Sequence, residues 1–121
     1  SVCVITYGMG VYWAKAAAAK FSSKIEIVDL RTLFPLDEKL VFERVKKHGR
    51  CLVLSEEQQN NSFAESLAHR ITYDCFKFLD APVAVLGALN LPAVPINLIS
   101  EAAMLPTPEK VIDALKKLLA Y

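Results

Sequence analysis

Val2-Cys3-Val4-Ile5-Thr6-Tyr7-Gly8-Met9-Gly10, then the alanine-rich run from Val11 to Phe21 and Ile25-Glu26-Ile27-Val28-Asp29, is the stretch that decides the fold. Val2 to Thr6 is apolar or β-branched throughout, the pattern of a strand buried on both faces. Gly8 and Gly10 make a tight turn out of it. Alanine has the highest intrinsic helix propensity and a side chain small enough to lie close on a sheet, so Val11 to Phe21 reads as a helix. Ser22-Ser23-Lys24 breaks that helix, and a second strand follows. Strand, helix and strand in this order form a right-handed parallel unit.

The rest of the chain extends the pattern. Leu30 to Leu36 reads as an irregular segment held extended before Pro35. Asp37 is a good N-cap for a helix running to about His48, which Gly49 closes. Cys51 to Leu54 is a third strand, and Glu56 to Asn61 a polar loop. Ser62-Phe63-Ala64-Glu65 has capping-box spacing. The helix it opens carries Ala64, Leu67, Ala68, Ile71 and Cys75 along one face. Pro82 to Leu86 reads as a fourth strand and Gly87 to Pro106 as a long loop. Thr107-Pro108 opens a last helix with a buried stripe of Val111, Leu115 and Leu118. This predicts an α/β domain over residues 1–121, three-layered α/β/α, with a mainly parallel (mixed) sheet of four to five strands.

Composition excludes several function classes. Apolar residues make up 54% of the 121, so either the core is rich or a partner covers part of the surface. No apolar run is long enough for a transmembrane helix. The net charge of +1, with signs mixed along the chain, gives no nucleic-acid footprint. Cys3, Cys51 and Cys75 are an odd set within apolar stretches, which points to a reducing compartment and inert core thiols. The chain opens inside a strand, with no initiator Met and no signal segment, as expected of a piece of a longer protein.

Gly8-Met9-Gly10 with Asp29 about 20 residues on imitates a dinucleotide fingerprint, but Trp13 stands where Gly or Ala is required. An indole there is expected to push helix and strand apart. Asn60-Asn61 could suggest a magnesium–diphosphate site, yet no Gly-Asp-Gly occurs, so those asparagines read as a solvated loop. His48 is explained as a helix C-terminal residue, and His69 has no ligand at metal spacing. No G-x-S-x-G is present. No catalytic, cofactor-binding or metal residue is therefore assigned. Glu56 and Glu57 follow the third strand and Arg31 the second, all on the carboxyl edge where ligands gather in open α/β sheets. An Arg31–Glu56 or Arg31–Glu57 pair is expected there, as a salt bridge at an interface rather than part of a ligand site.

Five segments resemble one family. Val4-Ile5-Thr6-Tyr7-Gly8-Met9-Gly10-Val11 is similar to the opening of the transketolase C-terminal domain as it occurs in beta subunits of 2-oxoacid dehydrogenases. Ile27-Val28-Asp29-Leu30-Arg31-Thr32-Leu33-Phe34-Pro35-Leu36-Asp37 resembles that family's most specific segment. Gly49-Arg50-Cys51-Leu52-Val53-Leu54-Ser55-Glu56-Glu57, Phe76-Lys77-Phe78-Leu79-Asp80-Ala81-Pro82-Val83 and Leu105-Pro106-Thr107-Pro108-Glu109-Lys110-Val111 with Tyr121 extend the likeness over essentially the whole chain. Ser55 replaces a frequent histidine, and Gln58 to Asn61 replace glycines, so the loop contacts are expected to differ. The family domain usually has a further antiparallel strand before Ser1.

The resemblance implies a part in the decarboxylating component of a thiamine-diphosphate-dependent 2-oxoacid dehydrogenase, with the branched-chain (2-oxoisovalerate) type nearer than the pyruvate type. It implies oxidative decarboxylation with acyl transfer to a lipoyl group, and thiamine diphosphate with magnesium held by other domains of the parent. The fragment itself is expected to be inactive. Implied partners are an alpha subunit or fused alpha domain, a second beta subunit and the acyltransferase core, the last docking on a face that combines Arg70 and Asp74 with the carboxylate of Tyr121. Implied compartments are the bacterial cytoplasm or, in a eukaryote, the mitochondrial matrix. Two other readings stand beside it: the C-terminal domain of transketolase or deoxyxylulose-phosphate synthase, and a stand-alone regulatory nucleotide- or anion-binding domain using the Gly8–Gly10 turn and Arg31.

Overall fold

The computed structural model describes residues 1–21, 24–31, 37–58, 62–88 and 106–121. Strand β1 (Val2–Thr6) is buried at every position because it runs through the middle of the sheet. It pairs in parallel with β2 (Ile25–Asp29) on one side, Val2 opposite Ile25, and with β3 (Cys51–Gln58) on the other, Cys3 opposite Cys51. Strand β4 (Ala84–Ala88) pairs in parallel with β3, Leu52 opposite Ala84. The order β2-β1-β3-β4 makes an all-parallel sheet of four strands among the described residues.

Helices cover both faces. Side chains alternate along each strand, so Val2, Val4, Leu52 and Leu54 point to one face, and Cys3, Ile5, Cys51 and Val53 to the other. The first set packs under α1 (Met9–Ala18) and α4 (Pro108–Leu119), with Ala14, Ala17, Val111, Leu115 and Leu118. The second packs under α2 (Glu38–His48) and α3 (Phe63–Cys75), with Val41, Val45, Leu67, Ile71 and Cys75.

The caps follow the sequence closely. Asp37 Oδ1 accepts from the Leu40 amide at 3.1 Å, Ser62 Oγ from Glu65 at 3.1 Å, and Thr107 Oγ1 from Lys110 at 3.3 Å. Gly49 closes α2 at φ 76°, the left-handed region where a side chain would be strained. A short 3₁₀ turn, Phe76–Phe78, follows α3.

Three boundaries differ from the sequence reading. Helix α1 begins at Met9, two residues early, because the Gly8 turn leads straight into it. Strand β3 continues through the expected loop residues Glu56 and Glu57 to Gln58, since pairing with β4 resumes at Ala88 past an irregularity. Strand β4 starts at Ala84 rather than Pro82. The expected irregular segment 32–36, Asn60-Asn61 and most of the proline-rich loop lie outside the described residues.

Candidate functional site at the carboxyl edge of the sheet

The connection after β1 leads to β2 on one side, while the connection after β2 returns past β1 to β3 on the other. The carboxyl ends of β1 and β3 therefore flank the switch point, the place where open α/β sheets form a crevice. Tyr7 follows β1 there, and Ser55, Glu56 and Glu57 stand in the carboxyl half of β3.

Tyr7 Oη donates to Glu57 Oε1 at 2.6 Å, and the Tyr7 ring meets Phe63 edge-on at 6.1 Å. The Glu57 amide donates to Oγ of the buried Ser55 at 2.9 Å. Burial first, then the Glu57 carboxylate, push the Tyr7 phenol up to about 12. Glu56 is exposed, and its Oε1 lies 3.1 Å from where a Cβ on Gly8 would stand, Gly8 itself having φ 59°.

Gly10 is the closest approach of helix to strand. A Cβ there would collide with Thr6 Oγ1 and sit 3.4 Å from the Leu54 carbonyl. This corrects the expectation for Trp13: the indole is half-buried beside the α1–α4 cluster and does not separate α1 from β1. Thr6 Oγ1 is buried beneath Gly10 without a hydrogen-bond partner among the described residues. A shallow hollow next to it is lined by Gly8, Val11, Tyr12, Lys15 and Asp29.

The sequence-predicted residues do not converge on one site. Arg31 lies 3.8 Å from Asp29 and is 89% exposed. The expected pairing with Glu56 or Glu57 is replaced by this contact and the Tyr7–Glu57 bond. The reason is that β1 stands between β2 and β3, placing their ends roughly 10 Å apart. Arg70 Nη1 donates to Glu38 Oε1 on the neighbouring α2. Asp74 is exposed on α3. Tyr121 follows α4 on the opposite face, so the sheet divides it from Arg70 and Asp74 and the three do not make a single face as expected.

Two clusters at the other edge escape sequence reasoning because their partners are far apart in the chain. His48 Nε2 donates to Glu26 Oε1 at 2.7 Å, and Nδ1 lies 2.8 Å from Ser1 Oγ. Arg50 donates to the Leu118 carbonyl at 3.0 Å and to the Tyr121 carbonyl at 2.6 Å, which caps the end of α4. The cysteines read as inert thiols: burial pushes Cys3 up to about 12 and raises Cys51 and Cys75 as well.

The hydrogen bond from His48, then the Arg44 guanidinium 3.7 Å away, hold the Glu26 carboxyl below its usual range. A folded-state pKa below the unfolded one stabilises above the unfolded value, about 4.3, and that stabilisation is lost as pH falls through the folded value. Urea unfolding from neutral pH down through this window should show Glu26→Gln with a flatter acid limb than the parent; identical limbs would remove Glu26 from the linkage.

Among the described residues, no group of three or more His, Cys, Asp or Glu side chains is placed to hold a metal ion, and no helix is long and apolar enough to cross a membrane. What the carboxyl edge offers is a tyrosine–glutamate hydrogen bond beside a glycine turn, with Glu56 and Asp29 as further exposed carboxylates.

Comparison with known proteins gives the lineage. Residues 1–111 match the family model described as Transketolase, C-terminal domain. The chain is 32% identical over 99% of its length to the 2-oxoisovalerate dehydrogenase subunit beta of Bacillus subtilis. It is 34% identical over 93% to the pyruvate dehydrogenase E1 component subunit beta of Rhizobium meliloti. It spans 38% and 25% of the lengths of those relatives. A solved split-gene transketolase, described as an inactive beta4 tetramer, superposes with a TM-score of 0.78 at 19% identity, over 99% of this chain and 39% of that one, and so shares the fold. By the family match over residues 1–111, the chain belongs to the transketolase C-terminal domain family.

Proposed function

We propose that the chain is the assembly domain of the decarboxylating component of a 2-oxoacid dehydrogenase, of the branched-chain or pyruvate type. The observation that carries this is the reach of the match. Beta subunits of both dehydrogenases align along nearly all of this chain, while the chain accounts for a quarter to two fifths of theirs. Exposed aromatic side chains fit the reading, since Tyr12, Tyr73, Phe76 and Tyr121 are each at least 65% exposed. Such surface is normally covered in the working protein. The complete protein would decarboxylate a 2-oxoacid oxidatively and pass the acyl unit to a lipoyl group, in the bacterial cytoplasm or the mitochondrial matrix. Its partners would be an alpha subunit or fused alpha domain, a second beta subunit and the acyltransferase core.

Thiamine diphosphate would supply the carbanion chemistry of that reaction. The residues of this chain do not fit it. None of Gly8, Gly10, Gly49 and Gly87 is followed by aspartate, so the Gly-Asp-Gly motif is missing. Among the described residues, the carboxylates at the switch point lie beside Tyr7 and Gly8 without a converging third ligand. No step of the reaction is therefore routed through these side chains. What they do is fold a rigid body and present its surface. Calorimetric titration of the chain with thiamine diphosphate and magnesium should give no binding heat; saturable micromolar binding would sink the assembly-only reading.

A further inference from the structure

The four helices among the described residues run against the direction of the strands, so their ends gather at the amino edge of the sheet. Long-range contacts tie that edge together. His48, at the end of α2, meets Glu26 at the start of β2 and Ser1 before β1. Arg50, before β3, holds the end of α4 and lies 3.8 Å from Asp80, whose amide donates to the Gly49 carbonyl at 2.7 Å. Lys46 Nζ stands 5.1 Å above the Phe78 ring, which brings the 3₁₀ turn to the same edge.

Charge on this edge is one-sided. Lys24, Lys46, Lys47, Lys77, Lys116 and Lys117 are all exposed. No carboxylate lies within ion-pair distance of them among the described residues. The acids nearby are largely engaged: Glu26 by His48 and Arg44, Asp80 by Arg50. The opposite edge carries Asp29, Glu56 and Glu57 together with the first-turn acids Glu38, Glu65 and Glu109. A net charge of +1 thus conceals a strongly polarised domain. Helix dipoles favour cations in last turns, and each such placement contributes about 0.3–1 kcal/mol. They do not explain why Lys46 stands over the Phe78 ring or why aromatic rings are left exposed among these cations. Phe76 is 72% exposed, Phe78 53% and Tyr121 65%, all at this edge.

We propose that the amino edge is a docking surface for an acidic polypeptide segment carrying an apolar anchor. The lysine rim attracts and orients the acidic segment, and the Phe76–Phe78 ledge takes the anchor. A nucleic acid fits less well, because a phosphate chain makes no use of the apolar ledge. The inference rests on the assembly reading and deepens it by naming the chemistry of one partner.

The test uses the chain and two labelled peptides of about 20 residues, one poly-glutamate and one with leucine or phenylalanine spaced among glutamates, followed by anisotropy. Both should bind, and less tightly as salt rises from about 50 to about 150 mM. The peptide with apolar residues should bind more tightly, and Phe76→Ser with Phe78→Ser should remove that increment alone. Lys46→Glu/Lys47→Glu and Lys116→Glu/Lys117→Glu, backed by the milder glutamine versions, should each weaken binding about tenfold, while Lys15→Glu near the other edge should change it less than about twofold. Thermal melts check that each variant folds. Absence of saturable binding at low salt, an equal loss with Lys15→Glu, or equally tight binding of a single-stranded DNA of similar length would each overturn the proposal. Apolar self-association that persists at high salt without peptide binding would overturn this surface and leave the assembly reading standing.

Discussion

Truncating Ile71 to alanine should cost the fold about 2–5 kcal/mol, a large part of the 5–15 kcal/mol typical of a domain. Ile71 is fully buried at the centre of the α2–α3 core, packed against the face of the sheet that carries Cys3 and Val53. The surrounding side chains cannot close over the gap, because the strands on one side and α2 on the other are fixed by their own hydrogen bonds. Tyr73, two residues on, gives the contrast. It is 80% exposed, so Tyr73→Ala should stay within about 0.5 kcal/mol of the parent in urea unfolding. Equal losses at the two positions would mean that α3 is not seated as described.

Gly10→Ala should also destabilise, although alanine is the better helix former. Helix propensity favours alanine by about 1 kcal/mol. Against that, the new Cβ collides with Thr6 Oγ1, on a strand held from both sides, and overpacking of this kind costs about 1–3 kcal/mol. Removing the obstacle reveals the cause. Thr6→Ala alone should cost little, since its hydroxyl is buried without a partner among the described residues. In the double variant the collision is gone and the propensity gain remains, so the pair should be coupled by at least about 1 kcal/mol. Additive losses would place the Gly10 requirement elsewhere.

Much of the architecture is legible in the sequence because its signals are local. Asp37, Ser62 and Thr107 act within one turn, and the stripe Ala64, Leu67, Ala68, Ile71 and Cys75 is buried as its spacing implies. Strands β1 and β2 fall where the β-branched runs place them. The misplaced start of β4 has a chemical reason: Pro82 has no amide hydrogen to give to β3, so ladder pairing waits for Ala84. The polar run Glu56-Glu57-Gln58 reads as loop because nothing local reveals that β4 extends beside it. The carboxyl-edge site was only partly legible. The sequence placed Glu56, Glu57 and Arg31 on the right edge but could not supply the strand order, which separates Arg31 from the glutamates. Tyr7 with Glu57, and Arg50 with Tyr121, are partners across most of the fold, and no short-range pattern announces them.

The position of β1 at the centre of the sheet has a consequence for how the chain comes together. Its first neighbour is near in sequence, Val2 meeting Ile25, whereas its second is distant, Cys3 meeting Cys51. Closing the second loop takes roughly twice the chain, and each doubling costs only about 0.6 kcal/mol of entropy. Thermodynamically the delay is trivial, but in time it is not. While the chain is being made, β1 and β2 can pair under α1 well before β3 exists, leaving one rim of an apolar strand open. Strand β1 is therefore half-finished until β3 follows, and the interval before Cys51 to Leu54 arrive is when a wrong strand can take their place.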